Sequence, residues 1–161
     1  MPEIPHAEPI SPAAAGPVVL MHLVFSEVMS EFVVTLPGTP RSVDVARQLT
    51  RSALPGSPRI GDLLLAVSEL STNAIAHSAS GQDGTFTVRI RTRAGWARVE
   101  ITDQGPAVNL PQTHNGWGLI IVTGVTDRSG AVIRANGDRA AWAEVTWPAR
   151  PPRLMRSGPG A

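Results

Sequence analysis

No cysteine occurs in this chain of 161 residues. No disulfide can therefore stand in for a core, no thiolate can act as a nucleophile, and no sulfur site can hold a metal. The fold must rest on buried apolar surface. Composition permits this, at 42% hydrophobic and 17% charged, and the length suits one domain of roughly 100 to 150 residues with some tail. A second absence bears on function. All 14 basic residues are arginine, which excludes a Walker-type phosphate loop and a Schiff-base enzyme, since both need lysine. Tyrosine is missing as well.

The formal charge is +1, so the pI near 9.0 reflects arginine chemistry more than a charge excess, and direct nucleic-acid binding gains little support. Glu3, Glu8, Glu27 and Glu31 lie towards one end and Arg150, Arg153 and Arg156 at the other, a distribution read as solvated ends. The early apolar run from Val18 to Phe25 contains His22 and falls far short of the roughly 20 residues a membrane span needs. The start of the chain lacks the basic residues of a signal peptide. The expectation is a cytoplasmic protein.

Proline and small residues dominate residues 1–17, and proline, glycine and arginine dominate 149–161. Both segments read as disordered tails around a domain at 18–148. Within it, Glu31 to Leu36 reads as a strand closed by Pro37-Gly38, and Ser42 to Leu54 has helical spacing. Val18 to Ser30 is ambiguous. From Arg59 to Ser78, Leu63, Val67, Leu70 and Ala74 form one helical stripe. Thr85 to Thr92 and Trp96 to Thr102 alternate around Arg93-Ala94-Gly95 as a hairpin. Asp103 to Gly116 reads as a long loop before a helix from Leu119 to about Thr126. Ala131 to Ala135 and Ala140 to Trp147 complete the pattern as strands around Asn136-Gly137-Asp138. This order predicts a two-layer α/β (α+β) sandwich with a mixed, mainly antiparallel sheet and its helices on one face.

Three clusters can carry chemistry. In Glu69 to Ser78, ELSTNAIAHS, Glu69 and Asn73 are four residues apart on one helix face, with His77 a further turn along. A carboxylate beside a carboxamide suits polarising a hydroxyl or water and donating oxygen to a hard cation such as Mg²⁺; the alternative is a polar helix face in solvent. Asparagine is a poor mid-helix residue without a task. In Val99 to Pro106, VEITDQGP, Asp103 ends a strand where it can accept from a ligand amine, and Gly105 permits close approach, or the segment is a simple turn. In Asn115 to Val122, NGWGLIIV, two glycines open an apolar helix, offering free N–H groups to phosphate and a hinge for a lid, or they are structural.

With these three clusters in this order, the chain resembles the GHKL ATPase superfamily, the Bergerat-fold group of gyrase, histidine-kinase and MutL-type domains. Within it, the chain is most similar to the small bacterial anti-sigma-factor serine/threonine kinases and their actinobacterial relatives. The likeness spans about Phe32 to Pro148 and is most specific at LLLAVSELSTNAIAHS. It implies the Bergerat ATP-binding fold, ATP and Mg²⁺ as cofactors, Glu69 as the catalytic general base, and Asn73 as a cofactor contact and metal ligand. It further implies Asp103 as acceptor for the adenine amino group, Gly105 in the adenine pocket, and Gly116 and Gly118 at the lid hinge, with Leu119 beside them in the cofactor-binding set. The family binds ATP without a phosphate-loop lysine, which fits the missing lysine.

The chain departs from the pattern in two places. Trp117 stands where relatives often have a basic residue between the last lid glycines, and Ala140 and Ala141 precede Trp142 where a threonine is common. Arg139 is a candidate for replacement charge, or a turn residue in solvent. His77 is more simply a helix histidine than a phosphate contact, and His114 a lid residue. His6 and His22 lack partners at metal-ligand spacing. Trp96, Trp142 and Trp147 read as sheet packing. Two functions follow. The first is a kinase transferring the ATP γ-phosphate to a serine or threonine of an anti-sigma-factor antagonist-like partner. The second is a nucleotide-dependent binding module, acting on such a partner or a sigma factor without phosphotransfer. A histidine-kinase fragment is disfavoured because no dimerisation helix precedes the domain. A homodimer is implied by the resemblance, with Val18 to Leu36 as its candidate surface.

Overall fold

The computed structural model describes residues 20–25, 28–106 and 117–149. The expected tails, His6, His114, Gly116 and most of the expected lid lie outside the described residues. The elements in chain order are β1 (Leu20–Phe25), β2 (Ser30–Pro37), α1 (Pro40–Ala53), α2 (Ile60–His77), a 3₁₀ turn (Ala79–Gly81), β3 (Thr85–Arg93), β4 (Trp96–Asp103), α3 (Trp117–Val125), β5 (Arg128–Ile133) and β6 (Arg139–Thr146). The strands form one sheet in the order β1-β2-β3-β4-β6-β5, and every neighbouring pair is antiparallel. The two-layer α+β architecture is the expected one, and the sheet, expected to be mainly antiparallel, is antiparallel at every pairing.

Two strands differ from the sequence reading. β1, LMHLVF, lies in the stretch that the periodicity left ambiguous, because it is apolar on both faces and carries no alternation. β5 begins at Arg128, ahead of the expected Ala131, because its partner sets the start: Asp127 N–H donates to the Glu144 carbonyl at 2.9 Å and Arg128 pairs with Glu144. It ends at Ile133, where the Arg134–Asp138 backbone bond of 2.8 Å and the positive φ of Gly137 turn the chain.

α1 starts on Pro40, whose fixed φ suits a first helical turn, and it stops before Pro55. On α2, the stripe Leu63, Val67, Leu70 and Ala74 is buried as its spacing requires, together with Leu64, Ala66 and Ser71. The wider burial has a cause: α2 packs on the sheet while α1 and α3 flank it. It meets Phe86, Val88 and Ile90 of β3, Val99 and Ile101 of β4, and Ala143 and Val145 of β6 in one core.

An arginine anchors the start of α2. Arg59 pairs with Asp62 at 2.5 Å and Asp127 at 3.3 Å, and donates to the carbonyls of Val125 at 3.0 Å and Thr146 at 3.3 Å. Asp127 in turn accepts from the Thr146 hydroxyl at 2.8 Å and its N–H at 2.6 Å, and these bonds hold its carboxyl below the ordinary 3.8.

The opposite sheet face is ionic. Glu31 pairs with Arg91 at 2.7 Å, Arg98 with Glu100 at 3.0 Å and Glu144 at 2.9 Å, and Arg134 with Glu100 at 2.9 Å. Arg98 lies over the Trp142 ring at 4.1 Å, Arg93 over Trp96 at 5.3 Å, and Trp147 packs against the core. His22 is exposed on β1. Among the described residues no helix is long and apolar enough to cross a membrane, and no group of three or more acidic or histidine side chains clusters for a metal.

Candidate functional site

α2 brings Glu69 and Asn73 one turn apart onto its half-buried flank, between the buried stripe and solvent. Neither side chain makes a hydrogen bond or ion pair with another described residue. A polar pair held at the edge of a core without partners keeps its acceptor capacity for something else. Between them Ser71 is fully buried, and its hydroxyl also lacks a partner among the described residues. Ser71 is not legible from spacing, because a lone small hydroxyl within the buried side of a helix carries no periodic signal.

Two helical turns beyond Glu69, roughly 12 Å along the axis, α2 ends at His77, and there the second cluster joins it. The Ser78 hydroxyl donates to the Ala74 carbonyl at 2.5 Å and accepts from Ser80 N–H at 3.0 Å, so the helix closes on its own side chain. Ala79 N–H then donates to the Gly105 carbonyl at 2.9 Å, Gln104 N–H donates to the Ser80 hydroxyl at 3.0 Å, and Ser78 bridges to Pro106. These bonds fasten the loop after β4 to the end of α2.

Asp103, the last residue of β4, is 9% exposed. Its Oδ1 accepts from Gly105 N–H at 2.8 Å, the local Asx geometry that turns the chain. Gly105 sits at φ +78°, a conformation that favours glycine, and it is buried.

Arg139 is where the sequence reading and the geometry part most clearly. It is neither in solvent nor free to replace a lost phosphate contact. Its Nε donates to Asp103 Oδ1 at 3.2 Å, and its Nη2 donates to Asp103 Oδ2 at 3.3 Å and to the His77 carbonyl at 3.0 Å. The cause is register: in the β4–β6 ladder Asp103 and Arg139 stand directly opposite. No local signal reveals this, because it depends on β6 lying beside β4, across the whole of α3 and β5.

The third cluster is described only in part. Gly118 falls in the first turn of α3 and Leu119, 50% exposed, follows it. α3 packs on α2, the helix that carries Glu69 and Asn73, and on β5. Ala140 is buried and supplies no polar atom to the site, and Trp142 lies under Arg98 on the other sheet face.

The arrangement is thus a row along one helix. An oxygen pair stands at its middle, an almost buried carboxylate and a crowded glycine at its end, and the glycine-containing helix α3 packed alongside. Residues 36–146, more than half of the chain, match the family model described as a histidine kinase-like ATPase domain. All the candidate site residues lie inside that span, whereas β1 and most of β2 precede it. No curated protein matches the chain.

Proposed function

The chain belongs to the histidine kinase-like ATPase family, of GHKL type, and we propose that it is an ATP-dependent protein serine/threonine kinase of the anti-sigma-factor type. Family membership carries ATP binding; the phosphoacceptor and the partner are the proposal. The observation that carries it is the Glu69–Asn73 pair on α2, unengaged among the described residues, on the same helix whose last carbonyl, His77, accepts from Arg139, the partner of Asp103.

In this reading Asp103 accepts from the adenine amino group, Gly105 lines the base pocket, and Gly116, Gly118 and Leu119 stand beside the phosphates at the lid hinge. Magnesium takes hard oxygen donors and is usually held by one or two protein groups together with substrate phosphates and water. The oxygens of Glu69 and Asn73 fit that donor set, with Asn73 as the ligand, and two groups are too few to hold the ion without nucleotide. When bound, the ion neutralises phosphate charge. Glu69 takes the proton of a serine or threonine hydroxyl on the partner as that oxygen attacks the γ-phosphorus. The bond to the β–γ bridging oxygen breaks, and ADP leaves. Positioning and charge supply most of the rate in such transfers.

The partner is an anti-sigma-factor antagonist-like protein, reached in the cytoplasm, and it docks beside the lid. A homodimer through residues 18–36 is supported by the exposure of Leu20 at 66% and Val24 at 43% on edge strand β1. A second reading, a nucleotide-binding module without phosphotransfer, is favoured by one feature: the Arg139 guanidinium, the candidate replacement charge, is engaged by Asp103.

The test is incubation of the full chain with γ-labelled ATP and a purified anti-sigma-factor antagonist. Label on serine or threonine of the antagonist supports the kinase. ATP binding without transfer supports the module, and no ATP binding overturns both.

A further inference from the structure

A carboxylate offers about four acceptor positions. At Asp103 three are taken, by Gly105 N–H and Arg139 Nε on Oδ1 and by Arg139 Nη2 on Oδ2. Among the described residues no donor takes the last position, which is on Oδ2. The direction of that position is not left to side-chain rotation. Arg139 grips both oxygens while the same Nη2 holds the His77 carbonyl at the end of α2, and the β4–β6 register places the two residues face to face. A forked guanidinium matches a carboxylate in a way that a single ammonium cannot.

We propose that Arg139 is a positioning residue for base recognition: by pinning Asp103 to the end of α2 it aims the remaining Oδ2 acceptor position at the exocyclic amine of the bound base. The inference rests on the ATP-pocket reading above and goes beyond it, because it makes base selectivity depend on a residue that itself touches no nucleotide. Without Arg139 the nearly buried carboxylate loses its countercharge and is free to rotate. That change spoils a directed acceptor while leaving the phosphate end of the site untouched.

The experiment compares ATP with purine riboside triphosphate, which is the same nucleotide without the amino group. Calorimetry is run on the full chain as wild type, Arg139→Ala, Arg139→Lys and Asp103→Asn, with a thermal melt for each. A hydrogen bond to a charged acceptor is worth roughly tenfold or more in affinity, so the wild type is expected to prefer ATP by about that factor. Arg139→Ala is expected to bring the ratio close to one, as Asp103→Asn does, and Arg139→Lys to restore part of it. A folded Arg139→Ala that binds both nucleotides more weakly but keeps the wild-type ratio overturns the inference and leaves the pocket reading standing. Wild type that binds neither nucleotide overturns the pocket reading, and the inference with it. Should the alanine variant fail to fold, Arg139→Gln, which keeps a donor without the charge, is read by the same ratio.

Discussion

The Cα of Gly105 faces the backbone of Gly137 so closely that a methyl group placed there would lie 2.4 Å from the Gly137 carbonyl oxygen. Both glycines have positive φ, +78° and +90°, yet nothing lies within 4 Å of a Cβ at Gly137. The pair therefore separates backbone strain from crowding. Gly137→Ala is expected to cost about 1 kcal/mol, the strain alone. Gly105→Ala adds a backbone clash and is expected to cost about 2 to 3 kcal/mol, with nucleotide affinity falling as the β4–β6 corner opens. Urea unfolding of both variants beside the wild type checks the difference. Equal losses would show that the corner gives way at no cost.

Much of the core fold is legible in the sequence where periodicity is strong. The α2 stripe and the β3–β4 hairpin follow from spacing alone, since one face of each is buried and the other is wet. β1 is not legible, because an edge strand apolar on both faces carries no alternation. The limits of β5 are set by Glu144 on another strand. Within the site, Glu69 and Asn73 are a local pair on one helix, and helical spacing suffices to find them. Arg139 is paired with Asp103 across the sheet, 36 residues away, and only the strand order brings them together.

Glu69→Ala is expected to leave ATP affinity within a few-fold of wild type and to lower γ-phosphate turnover by a hundredfold or more, the usual contribution of a positioned general base. Calorimetry and a phosphate-release or transfer assay read the two quantities separately. Loss of binding in parallel with turnover would assign Glu69 to holding nucleotide instead.

The Asp127 carboxyl, held below 3.8 by the Thr146 hydroxyl and N–H and by Arg59, links stability to pH. A carboxyl whose folded value is depressed stabilises fully above its unfolded value and loses that contribution as pH falls through the folded one. Wild type should therefore melt higher than Asp127→Asn at pH 7, and the gap should shrink as pH drops below about 4. A gap independent of pH between 7 and 3 would mean that the carboxylate charge contributes nothing at this site.

Arg98 joins Glu100, which is 8% exposed, to Glu144 and covers Trp142. Removing one member of a nearly buried charge cluster leaves the others uncompensated. Arg98→Ala is expected to destabilise by about 2 to 3 kcal/mol in urea unfolding. Its face of the sheet is turned away from the helices, so ATP affinity should not change. A shift in affinity would place the ionic face in contact with the site.

A nucleotide pocket built along α2 and closed by Asp103 is tested by calorimetry with ATP and a non-hydrolysable analogue, each with and without Mg²⁺. Binding is expected that Mg²⁺ strengthens and that Asp103→Asn weakens by roughly tenfold or more. No heat of binding at millimolar nucleotide, or equal affinity in the Asp103 variant, would contradict it.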